Sequence, residues 1–177
     1  MEMNSAINRL ARSLRTVDDF PQPGVKFVDI TPILQSGQLF RLTINLIVER
    51  YAKKRIDTIV GVDARGFIFG AAVACQLGVG FVPIRKKGKL PYKTIEQEYQ
   101  LEYGTSTVAV HEDAIAPGQK VALVDDVLAT GGTAAAAANL IKSLGADLQE
   151  ITFVIELSFL KGREKLMDYN VHSMIVL

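Results

Sequence analysis

The sequence predicts an α/β fold, with a doubly wound, mostly parallel sheet flanked by helices. Short apolar runs, typical of strands buried on both faces, alternate along the chain with stretches of helical spacing. Of the 177 residues, 49% are hydrophobic and 22% are charged, a balance typical of globular proteins. This length suffices for one domain with a well-packed core and is short for two. We therefore expect a single domain over residues 1–177.

The predicted elements follow one another in a regular order. A surface helix is expected within residues 1–17, where apolar positions recur at the i, i+3, i+4, i+7 spacing. Strands are expected at 56–62, 78–84, 120–125, 151–157 and 171–177, and helices at 38–53, 66–77, 133–144 and 159–168. Because parallel strands joined by helices connect through right-handed crossovers, the carboxyl ends of these strands should share one edge of the sheet.

Charge and apolar patterning indicate the cellular location of the protein and the classes of partner that it does not bind. The net charge is +1, so no strong field attracts nucleic acid or anionic lipid. Residues 66–84 are uncharged and long enough to suggest a membrane span, but glycines and a proline interrupt them, which favours a buried helix and then a buried strand. Cys75, the only cysteine, cannot form an internal disulfide and is expected to be buried. These features predict a cytoplasmic protein without nucleic-acid or membrane partners.

The stretch VALVDDVLATGGT, residues 121–133, joins an apolar strand to an alanine-rich helix. Asp125 and Asp126 come where the strand is expected to end, and ligands of open α/β sheets bind beyond the carboxyl ends of strands. The small residues that follow can bring backbone N–H groups and hydroxyls close to an anion. They are Ala129, Thr130, Gly131, Gly132 and Thr133. Since carboxylates beside a phosphate suit the vicinal hydroxyls of a sugar, the stretch predicts a ribose 5-phosphate site; a capped turn with two solvated aspartates is the alternative.

A second strand end carries a similar turn. Asp63, Ala64 and Arg65 precede a glycine between a strand and a helix, and an arginine in such a turn favours a second anion site on the same sheet edge. Basic residues follow the next strand and add charge for a diphosphate; they include Arg85, Lys86 and Lys89. Together these features predict a ligand with two phosphate groups around one sugar. An ordinary turn and a solvated basic loop are the alternatives.

Residues 85–111 differ from the rest of the chain. They are polar, basic at first, and then alternate in a hairpin-like pattern. An insertion of this kind between two core strands is more typical of a flap over a site than of scaffold.

These motifs resemble the type I phosphoribosyltransferase family, and most of all its adenine phosphoribosyltransferase branch. The segments DFPQPGVKFVDITPIL, GVDARGFIFG, PIRKKGKLP, YQLEYGT, VDDVLATGGT and ELSFLKGREKL occur in that family's order. The resemblance implies the type I phosphoribosyltransferase fold, with a small hood at about 1–35 and a flexible flap at about 85–111. It implies transfer of the phosphoribosyl group of 5-phosphoribosyl 1-diphosphate to adenine, which yields AMP and pyrophosphate. It also implies a homodimer, and Mg²⁺ that is bound mainly through the substrate.

The resemblance also implies roles for individual residues. Asp125 and Asp126 would hold the ribose hydroxyls, and residues 129–133 would bind the 5-phosphate. The turn at residues 63–65 matches the pyrophosphate site, where that family often has a cis peptide bond.

The base site follows from the same resemblance. Glu102, in LEYG, matches the catalytic acid beside the purine N7, and Tyr103 is its neighbour. Val25 and Phe27 fall where the family frames the adenine, with Leu128 opposite. The next residue, Val28, departs from the family, which often has a basic residue there.

Two other functions keep part of this pattern. A sister phosphoribosyltransferase for a 6-oxopurine or orotate would keep the Asp125-Asp126 turn and change the base site. A non-enzymatic regulator that binds phosphoribosyl diphosphate would need a partner surface in addition.

Overall fold

A computed structural model describes residues 3–20, 22–100 and 104–177 of the chain. Their contacts divide the chain into two compact units, residues 1–47 and 48–177, which are described in turn.

The first unit combines helices with a short antiparallel strand pair. Helix α1 (Met3–Ser13) is followed by β1 (Arg15–Asp18), β2 (Lys26–Asp29), α2 (Thr31–Gln35) and the start of α3 (Gly37–Tyr51). β1 and β2 pair in register, and an Arg15–Asp29 ion pair of 2.6 Å joins their ends. The helix expected within residues 1–17 therefore ends at Ser13, since the β-branched residues that follow pair with β2.

Among the described residues of the second unit, seven strands form one sheet in the order β5-β6-β4-β3-β7-β8-β9. The strands are β3 (Thr58–Val62), β4 (Gly80–Lys86), β5 (Thr94–Gln100), β6 (Thr105–His111), β7 (Lys120–Leu128), β8 (Asp147–Glu156) and β9 (Val171–Val176). β4, β3, β7, β8 and β9 run parallel to one another, and β5 and β6 form an antiparallel hairpin at one edge. Helices α4 (Arg65–Leu77) and α5 (Gly132–Ser143) connect parallel strands. The predicted fold class is confirmed.

Small side chains let α5 lie close to the sheet. Ala134, Ala136, Ala137 and Ala138 are all buried, and they pack in one apolar cluster with strand residues such as Leu123. In the described parts of the chain, no helix is both long enough and apolar enough to cross a membrane.

A buried carboxylate ties the end of α3 to β8. Glu150 is fully buried and accepts hydrogen bonds from Arg50 Nε at 2.5 Å, from Asn170 Nδ2 at 3.1 Å and from Lys54. Burial alone would raise the pKa of Glu150, but the bonds from Arg50 and Lys54 outweigh it and hold that pKa below its ordinary value. Beside this cluster the Tyr51 hydroxyl donates to Thr152 Oγ1 at 2.6 Å. The cluster fixes the end of the sheet that lies opposite the candidate site.

Three expectations about these elements are wrong. The helix expected at 159–168 is two 3₁₀ turns, Ser158–Leu160 and Gly162–Leu166, because Lys161 between them has φ of 54°, outside the helical region. Strand β7 continues to Leu128, since β8 goes on pairing with it after the pairing with β3 has stopped at Val124. Cys75 is exposed, because it lies on the outer face of α4 while its neighbours Val73 and Ala74 are buried.

Candidate active site

The candidate site is a cavity of ≈ 360 Å³ at the carboxyl ends of β3 and β7, two neighbouring strands at the centre of the sheet. Residues 62–65 line one side and residues 125–134 line the other. The structure thus brings together the two turns that the sequence predicted on the same edge of the sheet. They are called the diphosphate turn (residues 63–65) and the phosphate turn (residues 129–133) below.

Asp125 and Asp126 lie in the last part of β7 and not after its end. They are nevertheless open to the cavity, because β7 has no partner on the β3 side beyond Val124. The Asp126 backbone N–H donates to Asp125 Oδ1 at 2.9 Å. A Cβ on Gly66 would lie 2.7 Å from the same oxygen, so only glycine allows the first turn of α4 to pack here.

The two carboxylates have different electrostatic environments. Burial raises the pKa of Asp125 well above its ordinary value, and the neighbouring charge of Asp126 raises it further. Asp126 is 5% exposed, and its Oδ2 makes no hydrogen bond to any described residue. That oxygen forms an ion pair with Arg65 Nε instead. The arginine of the diphosphate turn is thus held against a carboxylate of β7 on the other side of the cavity.

The phosphate turn leads directly into α5. Gly131 precedes the helix with φ of 76°, a conformation that glycine adopts without steric cost. The N-terminus of α5 lies at the cavity, where its unpaired N–H groups and its dipole favour an anion. Leu128, the last residue of β7, is 1% exposed and comes directly before the phosphate turn. This geometry suits a phosphate group bound by backbone donors.

The peptide bond between Asp63 and Ala64 in the diphosphate turn is cis, as it often is in the family that the sequence resembles. Arg85 reaches this turn through its guanidinium, whose Nε donates to Asp63 Oδ2 at 3.1 Å and whose Nη1 donates to the Lys89 carbonyl at 3.1 Å. The side chains of Lys86 and Lys89 are exposed and do not line the cavity. None of the three predicted cations lines the cavity, and Arg85 alone contacts a residue that does, Asp63.

The remaining predicted residues lie elsewhere in the chain. Glu102 and Tyr103 fall outside the described residues. Val25 and Phe27 belong to the first unit, where the rings of Phe27 and Phe20 meet edge to face with centroids 5.2 Å apart. Around the expected flap, β5 and β6 form the hairpin that the pattern predicted, but Val108 to Val110 of β6 are buried, so the base of the hairpin is built into the core.

One residue at the site had no predicted role. Gly162, on the loop after β8, packs against the backbone of the phosphate turn. The sequence signal is the glycine in ELSFLKGREKL, which marks a turn without showing what it touches.

The fold and the site define a class of protein, the phosphoribosyl transferases. Residues 29–175, which include both turns, match the family model of the phosphoribosyl transferase domain. An adenine phosphoribosyltransferase of Methylacidiphilum infernorum is 53% identical over 173 residues, which cover 98% of this chain and 97% of the relative. The chain belongs to the adenine phosphoribosyltransferase family.

Solved structures agree with this family. The crystal structure of the adenine phosphoribosyltransferase from Thermoanaerobacter pseudethanolicus matches with a TM-score of 0.93 and 46% identity, covering 97% of this chain and 99% of that one. The Saccharomyces cerevisiae enzyme, complexed with an imino-altritol bisphosphate and adenine, matches with a TM-score of 0.91 and 42% identity over 97% and 99% of the two chains. The family and the fold that the sequence predicted are confirmed.

Replacing Asp125 by asparagine should stabilise the ligand-free protein at neutral pH. Asparagine keeps the acceptor for the Asp126 N–H and removes a buried charge beside a second carboxylate. We expect a gain of about 1–2 kcal/mol in the free energy of unfolding. Since the pKa of Asp125 is raised in the folded state, the gain should shrink as the pH falls towards the ordinary range of aspartate, where both states carry the proton.

Urea unfolding at neutral and acidic pH measures this effect. The control is Asp113→Asn at an exposed position, which should change the free energy by less than about 0.5 kcal/mol. A destabilised Asp125→Asn variant at neutral pH would show that the Asp125 charge is well solvated or well paired.

Proposed function

We propose that the chain transfers the phosphoribosyl group of 5-phosphoribosyl 1-diphosphate to adenine, forming AMP and pyrophosphate in purine salvage. The observation that carries this proposal is the cavity at the ends of β3 and β7, lined by two adjacent carboxylates and two anion-binding turns. The activity named for the relatives at about half identity supports it, as does the adenine held by the S. cerevisiae enzyme.

The sugar phosphate is assigned to the end of β7. Asp125 and Asp126 accept hydrogen bonds from the two ribose hydroxyls, and residues 129–133 bind the 5-phosphate with their backbone and hydroxyl donors. The position of Asp126 supports this assignment, because its carboxylate lines the cavity and, among the described residues, forms an ion pair only with Arg65, a partner that the diphosphate can take over.

The diphosphate is assigned to residues 63–65. Arg65 leaves Asp126 when substrate binds, so that the guanidinium meets the diphosphate while the carboxylate meets the ribose. Arg85 supports the turn through its bond to Asp63. Lys86 and Lys89, as exposed cations on the same strand end, attract the diphosphate from further away.

The base site is assigned by resemblance. By that resemblance, Val25, Phe27 and Leu128 are assigned to the adenine ring, and Tyr103 follows Glu102 in the sequence. Glu102 is the catalytic residue. As the bond between C1 of the sugar and the diphosphate breaks, pyrophosphate leaves with the electron pair, and the bond to N9 forms. Positive charge grows on the purine, and the Glu102 carboxylate accepts the proton that leaves N7.

The transition state resembles an oxocarbenium ion, as in glycoside hydrolysis. The described residues include no group of three or more His, Cys, Asp or Glu side chains arranged to hold a metal ion. Mg²⁺ commonly binds through substrate phosphates and few carboxylates, and the acids at this edge suit such an ion. When bound to the diphosphate, Mg²⁺ neutralises charge on the leaving group. Within residues 85–111, the part outside the buried base of the hairpin acts as the flap that keeps water from the sugar.

Assembly and location complete the proposal. The outer face of α4 exposes Ile68 at 42%, together with Ala71 and Cys75, an apolar surface that suits a homodimer contact. A hood formed by about residues 1–35 is part of the same single domain. A cytoplasmic location fits a chain whose lone cysteine has no internal partner.

Adenine should be the preferred base. With phosphoribosyl diphosphate and Mg²⁺, we expect pyrophosphate release with adenine to exceed release with hypoxanthine, guanine or orotate by about 10²-fold or more, since wrong polar groups leave buried partners unpaired. A coupled pyrophosphate assay with each base measures this. Equal or better turnover of another base would identify a sister enzyme, and no turnover with any base would favour a non-enzymatic regulator.

The Glu102→Gln variant should lower turnover with adenine by about 10²–10⁴-fold, the range typical of a positioned acid–base group. The amide keeps the size of the side chain and a hydrogen bond, but it cannot take a proton. Single-turnover kinetics should place the loss in the chemical step, with the affinity for phosphoribosyl diphosphate unchanged.

Glu98→Gln is the matched control, because Glu98 is exposed on β5, four residues before Glu102 in the sequence. The control should react at the wild-type rate. A chemical step in Glu102→Gln within about threefold of wild type would remove Glu102 from the acid–base role.

A further inference from the structure

A loop that carries none of the proposed binding residues packs directly on the phosphate turn. This loop, residues 157–166, follows β8 and contains Gly162. A Cβ on Gly162 would lie 2.9 Å from the Gly131 nitrogen and 3.0 Å from the Ala129 carbonyl carbon, and it would overlap the Ala129 oxygen. A Cβ on Gly131 would in turn overlap the Gly162 oxygen. The two backbones therefore touch at a separation that leaves no room for a side chain.

Arg163, the residue after Gly162, anchors the loop to β8 and β9. Its Nε donates to Glu156 Oε1 at 3.0 Å and its Nη2 to Glu156 Oε2 at 2.5 Å, while Nη1 donates to the Val171 carbonyl at 3.1 Å. Glu156 is almost buried, with 8% of its side chain exposed. The bonds from Arg163 hold the pKa of Glu156 below its ordinary value. A bidentate pair of this kind fixes both position and orientation.

The loop is anchored on both sides of Gly162. At its start, the Leu157 N–H donates to the Leu128 carbonyl at 2.9 Å, immediately before the phosphate turn. At its end, Leu166 is 1% exposed and belongs to the apolar core that α5 joins. Lys161, next to Gly162, keeps φ of 54°, which a non-glycine residue adopts only when its surroundings impose it.

We propose that residues 157–166 are a positioning element for the 5-phosphate, in which the Gly162 backbone sets the shape of the phosphate turn and the Arg163–Glu156 pair holds Gly162 in place. The inference rests on the proposed function of residues 129–133. A turn rich in glycine is flexible by itself, and its N–H donors must converge on the phosphate within a few tenths of an ångström. The contact with Gly162 restricts that freedom without touching substrate.

The test compares two ligands that use different parts of the site. Dissociation constants of ribose 5-phosphate and of inorganic pyrophosphate are measured by calorimetry for wild type, Gly162→Ala and Arg163→Gln, with the melting temperature of each. Gly162 does not have positive φ, so alanine tests the contact alone. The controls are Gly37→Ala, where a Cβ meets nothing within 4 Å, and Arg55→Gln, whose side chain is 84% exposed.

Gly162→Ala should weaken ribose 5-phosphate by about tenfold or more, because the added methyl displaces the turn. Arg163→Gln should weaken it by about threefold or more, and Arg163→Lys should restore part of the loss. Pyrophosphate affinity should stay within about twofold of wild type in each folded variant, since the atoms nearest to Gly162 belong to residues 129 and 131 and not to the diphosphate turn. The controls should bind both ligands as wild type does.

Unchanged ribose 5-phosphate affinity in the folded variants, or equal losses for the two ligands, would overturn the positioning role. If Gly162→Ala does not fold, Arg163→Gln decides by the same criteria. A wild-type chain that binds no ribose 5-phosphate would contradict the proposed function of the phosphate turn itself, and this inference with it.

Discussion

Two adjacent carboxylates, Asp125 and Asp126, held at the end of a central strand are the constraint on which the site depends. Like charges this close destabilise a folded chain unless each is compensated. The structure compensates Asp126 with the ion pair to Arg65, and it raises the pKa of Asp125 so that this carboxyl is more readily neutral. Gly66 removes the side chain that would collide with Asp125. The two carboxylates thus lower the stability of the fold, and ligand binding can offset that loss.

The same constraint links the two halves of the site. Arg65 begins α4 and Asp126 lies near the end of β7, so their ion pair joins the neighbouring βα connections across the sheet edge. In the proposed reaction, the Arg65 guanidinium and the Asp126 carboxylate separate and each binds substrate. The guanidinium binds the diphosphate and the carboxylate binds the ribose. In that reaction, substrate binding and separation of this ion pair are therefore one event.

Apolar patterning predicted the central strands and helices because burial on both faces leaves a strong local signal. Where this local signal failed to predict the structure, the cause is also physical. β7 runs three residues past its expected end because β8 goes on pairing with it there, a property of pairing and not of local sequence. Arg65 pairs with Asp126, and Gly162 packs against Gly131, although the partners are far apart in the sequence. No local pattern predicts such contacts. Cys75 lies in an apolar run yet faces outward, because helical periodicity decides its face.

The measurement that tests this account most directly is a calorimetric titration of Asp126→Asn with phosphoribosyl diphosphate and with pyrophosphate, beside wild type. Loss of a charge-assisted acceptor should weaken phosphoribosyl diphosphate by about 10–100-fold, about 1.5–3 kcal/mol. Because the variant releases Arg65 from its ion pair, pyrophosphate affinity should hold or rise. Unchanged affinity for phosphoribosyl diphosphate, or a matching loss for pyrophosphate, would contradict the claim that Asp126 holds the sugar while Arg65 serves the diphosphate.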